Sequence, residues 1–158
     1  MKTASPGHTL LLLWEKLRGT ALGRWFFARL LFWMVPYSGS IGASIVSLEP
    51  GHVVVQLRDR RAVRNHLSSI HAMALANLCE LTSGLAMLTA LPKDARGILT
   101  GFSVQYHKKA RGMLRAETRV APIASAQAQE LQVQVEARDE SGACVTQATA
   151  QWKIGPQQ

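Results

Sequence analysis

IHAMALANLCELTSGLAMLTAL, residues 70–91, is the stretch on which the reading of this chain turns. The helical pattern runs over 69–91. Leu75, Leu78, Leu81, Leu85 and Leu88 recur at helical spacing and make one apolar face. At 100° per residue the opposite face holds Met73, Ala76, Asn77, Glu80, Ser83, Gly84 and Met87. Glu80 is the only acid between Asp59 and Asp94. A lone carboxylate on such a stretch is costly to bury unless it has a partner or a task. Leu91-Pro92 ends the helix.

Outward from this helix the period changes from helical to alternating. Residues 41–48 and 52–58 predict two strands joined by the turn Glu49-Pro50-Gly51. Arg60, Arg61 and Arg64 lie in the polar connection to the helix. Four more strands are predicted after it, over 98–108, 112–120, 129–138 and 143–154. In the first of these, Ile98, Thr100, Phe102, Val104 and Tyr106 share a face. Asp139-Glu140-Ser141-Gly142 is a hairpin turn. Two strands, one central helix and a four-strand meander predict an α+β domain, an antiparallel sheet with the helix on its concave face. Ahead of it, 9–35 reads as one or two helices, broken near Gly19 and Gly23. The expected organisation is a helical extension over 1–37 and one domain over 38–158.

The chain has 158 residues, 47% of them apolar and 18% charged, which excludes a disordered tail. Its two cysteines, Cys79 and Cys144, make neither a disulfide framework nor a zinc site of thiolates, and point to a reducing, cytoplasmic compartment. The histidines have no metal-ligand spacing, so neither metal nor cofactor is expected. The formal charge of +8 is uneven. Residues 1–40 carry +4 and residues 81–120 carry +5, while 121–158 carry −2. No nucleic-acid motif accompanies these bases, so no nucleic-acid partner is expected. The apolar runs at 9–14 and 25–36 are each broken by charge, too short for a signal peptide or a spanning helix. Trp25, Phe26, Phe27, Trp33 and three arginines in the extension suit either a helix packed on the domain or a membrane-surface helix. Packing, on the domain or in a dimer, is the favoured reading, because apolar groups occupy too many sides of the helix.

Two motifs carry chemistry. The first runs Asn65-His66-Leu67-Ser68-Ser69-Ile70-His71-Ala72-Met73, with Glu80 nine residues after His71. The second is Tyr106-His107-Lys108-Lys109-Ala110-Arg111-Gly112. With the strand order, over roughly 38–154, they resemble the hotdog-fold acyl-CoA thioesterases, especially the phenylacetate-degradation type and its relatives. The resemblance implies a sheet wrapped around a long central helix. It also implies an acyl-CoA substrate and a homodimer or homotetramer. Asn65, His71 and Glu80 fall at the family's Asn, His and acid. Ala72 or Met73 would offer a backbone N–H to the thioester carbonyl at the helix N-terminus. Glu80, from the partner's antiparallel helix, would act as base or nucleophile. Lys108, Lys109 and Arg111 would meet the CoA phosphates, and Ser83 and Met87 would line the acyl site.

The family's Gly-Gly is Ala72-Met73 in this chain, which puts side chains at the thioester approach. A non-catalytic hotdog protein that binds acyl-CoA or a lipid-like acyl group therefore stands beside the hydrolase. Plainer readings stand beside each residue too. His71 can cap the helix, Asn65 can serve a turn, Glu80 can pair with a base, and the basic loop can be a solvated hairpin end.

Overall fold

A computed structural model describes residues 5–157 of the chain. Three helices come first, α1 (Pro6–Leu17), α2 (Ala21–Met34) and the single turn α3 (Pro36–Gly39). Strands β1 (Ser44–Glu49) and β2 (His52–Arg58) precede the long helix α4 (Ala72–Ala90). Strands β3 (Ala95–Tyr106), β4 (Met113–Arg119), β5 (Gln129–Arg138) and β6 (Cys144–Pro156) follow. Among the described residues the six strands form one antiparallel sheet in the order β1-β2-β4-β5-β6-β3. This is the expected hotdog architecture, a sheet curved around one long helix.

The expected four-strand meander is corrected in one respect. Strand β3 does not pair with β4; it crosses to the far side of β6 and becomes an edge. Strand β4 instead joins β2 along its whole length. A register shift between Leu99 and Gly101 also divides β3. The inward set is therefore Ala95, Gly97 and Leu99 before the bulge and Phe102 and Val104 after it. Ile98, expected to share a face with Phe102 and Val104, lies on the other side of the strand and is 53% exposed. An extra residue reverses the face on which every later side chain lies.

Helix α4 is buried on most of its circumference. Leu75, Leu78, Leu81 and Leu85 are inside, and so are Ser83 and Met87 from the opposite side. The β1–β2 turn anchors its C-terminal end. Gly51 there has φ +71, the left-handed region that a turn of this kind reserves for glycine. Its N–H donates to Thr89 Oγ1 (3.1 Å), and Thr89 Oγ1 lies 2.9 Å from the Leu85 carbonyl.

The break in the N-terminal helices falls at residues 18–20. Thr20 caps α2 by accepting from the Gly23 N–H (3.0 Å), so Gly23 lies inside the helix rather than between two. Ser5 caps α1, and Pro6 starts it. Both helices contribute to the core. Leu10 and Trp14 of α1 and Phe27 and Leu31 of α2 belong to the same buried cluster as α4 and the sheet. The Trp14 and Phe27 rings meet edge to face, with centroids 5.1 Å apart. Helix α1 starts directly on α4: a side chain at Gly7 would collide with the Leu88 carbonyl.

Phe27 is fully buried while Trp33, on the same helix, is 83% exposed. Phe27→Ala is expected to cost about 3–5 kcal/mol and Trp33→Ala within about 0.5 kcal/mol. Urea unfolding of both variants checks this. Equal shifts of the midpoint would mean that α2 is not docked through Phe27.

Candidate active site

The site residues fall into two groups at two places on α4. The first surrounds its N-terminus. His71 is the N-cap, and its Nδ1 accepts from the Met73 N–H (3.0 Å). The Ala74 and Leu75 N–H groups bond the His71 carbonyl. Among the described residues no protein group accepts from the Ala72 N–H. Of the two donors expected from sequence, Met73 is thus occupied within its own turn and Ala72 is open. The Met73 side chain is 60% exposed beside it.

Asn65 organises the loop that leads in. Its Oδ1 accepts from the Leu67 N–H (2.9 Å), the Ser69 N–H (3.2 Å) and the Ser69 hydroxyl (3.3 Å). Ser68 within this loop has φ +53, a strained value for a residue with a side chain. The Asn65 side chain holds that turn closed.

The basic loop 107–112 lies against the same end. The Ile70 N–H donates to the Ala110 carbonyl (2.8 Å), and the Tyr106 hydroxyl donates to the Ala72 carbonyl (3.1 Å). Tyr106 stood in the sequence motif but not among the expected site residues. Its contact depends on β3 reaching back to the start of α4, which spacing does not show. Lys108 is committed to Asp139 (2.6 Å), which holds that carboxyl well below its usual range. Arg64 pairs with Asp59 (2.6 Å) and lowers it likewise. Lys109 and Arg111 are exposed and form no ion pair among the described residues.

The second group lies further along α4. Glu80 is half-buried, and among the described residues its carboxyl has neither an ion-pair nor a hydrogen-bond partner. Burial pushes its pKa up. Glu80 and Met87 line an apolar cavity of about 510 Å³, with Leu10 and Leu13 of α1 and Met34 of α2. Trp152 borders it as well, and its indole Nε1 is buried without an acceptor among the described residues. Ser83 is turned away: its hydroxyl donates to the Glu80 carbonyl (2.9 Å) and it does not line the cavity. Cys79, next in sequence to Glu80, is buried and pushed up to about 12, so it remains a thiol at neutral pH.

Eight residues separate Ala72 from Glu80, about 12 Å along the axis. One chain therefore does not bring the open N–H and the carboxylate together. Among the described residues no group of three His, Cys, Asp or Glu side chains is placed to hold a metal ion.

Comparison with known proteins defines the class first. The chain is similar over nearly its whole length to a protein solved by structural genomics, at 27% identity. The match covers 95% of this chain and 99% of that one, with a TM-score of 0.82. It is similar in fold to a Pseudomonas aeruginosa protein of unknown function described as a probable thioesterase. That match has 23% identity, a TM-score of 0.76, and covers 82% of this chain and 93% of the other. A Haemophilus influenzae thioesterase also shares the fold, at 12% identity and TM-score 0.66, over 76% of this chain and 82% of that one. These structures place the chain in the hotdog fold. Residues 23–154 match the family described as domain of unknown function (DUF4442), and the chain belongs to that family. No curated protein matches it.

The raised pKa of Glu80 has a consequence for stability. A carboxyl whose folded pKa exceeds its unfolded value stabilises the fold while protonated. That contribution is lost as pH rises through the folded pKa. Glu80→Gln is therefore expected to raise Tm at pH 7, with the gain shrinking as pH falls through the raised folded pKa and vanishing below the usual glutamate range. Thermal melts across pH check this; a lower Tm at pH 7 would mean that Glu80 has a stabilising partner.

Proposed function

We infer that the protein is a thioester hydrolase acting on acyl-CoA, with its site completed by a second copy of the chain. The observation that carries this reading is Glu80. It is the one carboxylate on α4, unpartnered among the described residues, raised in pKa and set on the wall of an apolar cavity. The probable thioesterase and the thioesterase named among its structural relatives support the same reading.

The second copy is part of the proposal for two reasons. The open Ala72 N–H and Glu80 lie too far apart on one helix. The outer edge of β3, twelve residues long, is unpaired among the described residues. Such an edge pairs readily with another strand. A less buried ridge, Ala76, Glu80, Gly84 and Leu88, runs along α4 where a partner helix can approach. In this arrangement the thioester carbonyl oxygen accepts from the Ala72 N–H, where the dipole of α4 favours the oxyanion. Glu80 of the other copy takes a proton from water as its oxygen attacks the carbonyl carbon. Collapse of the tetrahedral intermediate breaks the C–S bond, and the thiolate recovers the proton from Glu80. The products are a carboxylic acid and free CoA. Asn65 acts by holding the entry loop. Lys109 and Arg111 receive the CoA phosphates; Lys108 serves less directly, because Asp139 already neutralises it. Met87 lines the acyl cavity.

A second reading, binding of acyl-CoA without hydrolysis, is favoured by one feature. Met73 stands exposed over the helix N-terminus, with its N–H already taken by His71.

Thiol release from a series of acyl-CoAs separates the two. For the hydrolase, Glu80→Ala is expected to reduce kcat by at least about a hundredfold with the fold intact. Saturable acyl-CoA binding with no thiol release from the wild-type protein would establish the second reading. If Glu80 must be ionised, activity is lost on the acid side at a pH above that of an ordinary glutamate. Replacing Lys109 and Arg111 together by alanine should raise KM for acyl-CoA but not for an acyl-pantetheine lacking the nucleotide. An equal effect on both substrates would remove these residues from phosphate binding.

A further inference from the structure

Helix α2 presents its apolar side outward. Phe27 and Leu31 face the core, and at 100° per residue Leu22, Trp25, Phe26, Arg29 and Trp33 point the opposite way. Leu22 is 74% exposed, Trp25 59% and Trp33 83%. Tyr37 of α3, 75% exposed, follows at the end of the helix. Exposed aromatic and aliphatic groups on this scale mark a surface that meets something.

The charge around this face limits what that is. From Lys16 to Leu48 the sequence contains four basic residues and no acid. Arg18, Arg24, Arg29 and Arg58 line a cleft of about 960 Å³ between α2 and the outer side of β1, with Trp25 at its wall and no carboxylate in its lining. Arg24 is braced by its bond to the Arg18 carbonyl (2.9 Å). Glu15 of α1 pairs with Arg18 at the edge of the cleft. Arg29 sits among the outward aromatic groups.

We propose that this face docks on an anionic phospholipid bilayer, the α2 aromatic groups entering the interface and the arginine-lined cleft taking lipid phosphates. Tryptophan, phenylalanine and tyrosine with flanking arginine suit the boundary between acyl chains and headgroups. Basic residues at an anionic leaflet add attraction that salt screens. A second copy of the chain suits the face less well. A two-fold contact brings the same arginine-bearing patch from both copies together, with no carboxylate in the cleft lining to offset the charge. Pairing through β3 engages the edge of the sheet opposite β1, along which α2 lies. Met34 and Val35, at the C-terminal end of α2, are exposed and also line the cavity that holds Glu80. The proposal does not depend on hydrolysis.

Co-sedimentation of the full chain with phosphatidylcholine vesicles, with and without phosphatidylglycerol, tests it. Wild-type protein is expected to pellet with the anionic vesicles and to be released by salt. Replacing Trp25 and Trp33 by serine should abolish pelleting, and replacing Arg24 and Arg29 by alanine should weaken it by roughly thirtyfold. These side chains are exposed, so unchanged melting curves confirm that both variants remain folded. No binding by the wild type, or variants that pellet as it does, would overturn the proposal. So would a serine variant that lowers the oligomeric state in gel filtration while vesicle binding stays as in the wild type, since the face then joins copies of the chain.

Discussion

The structure depends on covering a helix that is apolar on nearly every side. Helix α4 carries leucines around one half and Ser83, Met87 and small residues around the other. A flat sheet hides only one side of such a helix, so the six strands curve round it. Helix α1 covers more, and comes so close that only glycine fits against the Leu88 carbonyl. The same demand explains why the N-terminal helices share the core cluster and do not stand apart. What remains uncovered is a narrow ridge with Glu80 in the middle.

That residual ridge gives the site its chemistry. Glu80 is partly desolvated because the covering is nearly complete, and that desolvation raises its pKa, with no base among the described residues to oppose it. At the N-terminal end of α4, the capping residue and the backbone compete for the same donors. The imidazole of His71 takes one N–H and leaves another. The curved sheet returns β3 to that end, so the Tyr106 hydroxyl and the loop carrying Lys109 and Arg111 lie beside the helix N-terminus although more than thirty residues separate them in sequence.

Much of this was legible in the residues. The α4 spacing, the alternation in β5 and β6 and the turn at Gly51 each state a local preference that packing does not oppose. Strand β3 is where local reading failed. Its alternation is regular on paper, but the bulge at Gly101 lets the strand follow the curvature of the sheet and turns Ile98 outward. The helix break was read one glycine too widely, because Gly23 supplies the N–H that Thr20 caps. Asn65 and His71 were visible as a pair of polar residues before a helix. Their hydrogen bonds make one the organiser of a strained loop and the other a cap.

The sequence by itself determined the elements, their order, the isolation of Glu80 and the accumulation of basic charge, because periodicity and composition are properties of neighbours along the chain. Only the tertiary structure decided which strand became the edge, which lysine was already neutralised, and which side of α2 was left in the open. Those outcomes depend on distances between segments far apart in sequence. Lys108 meets Asp139 across thirty-one residues. Phe27 turns inward because Trp14 is there to meet it, and that contact leaves Trp25 and Trp33 facing out.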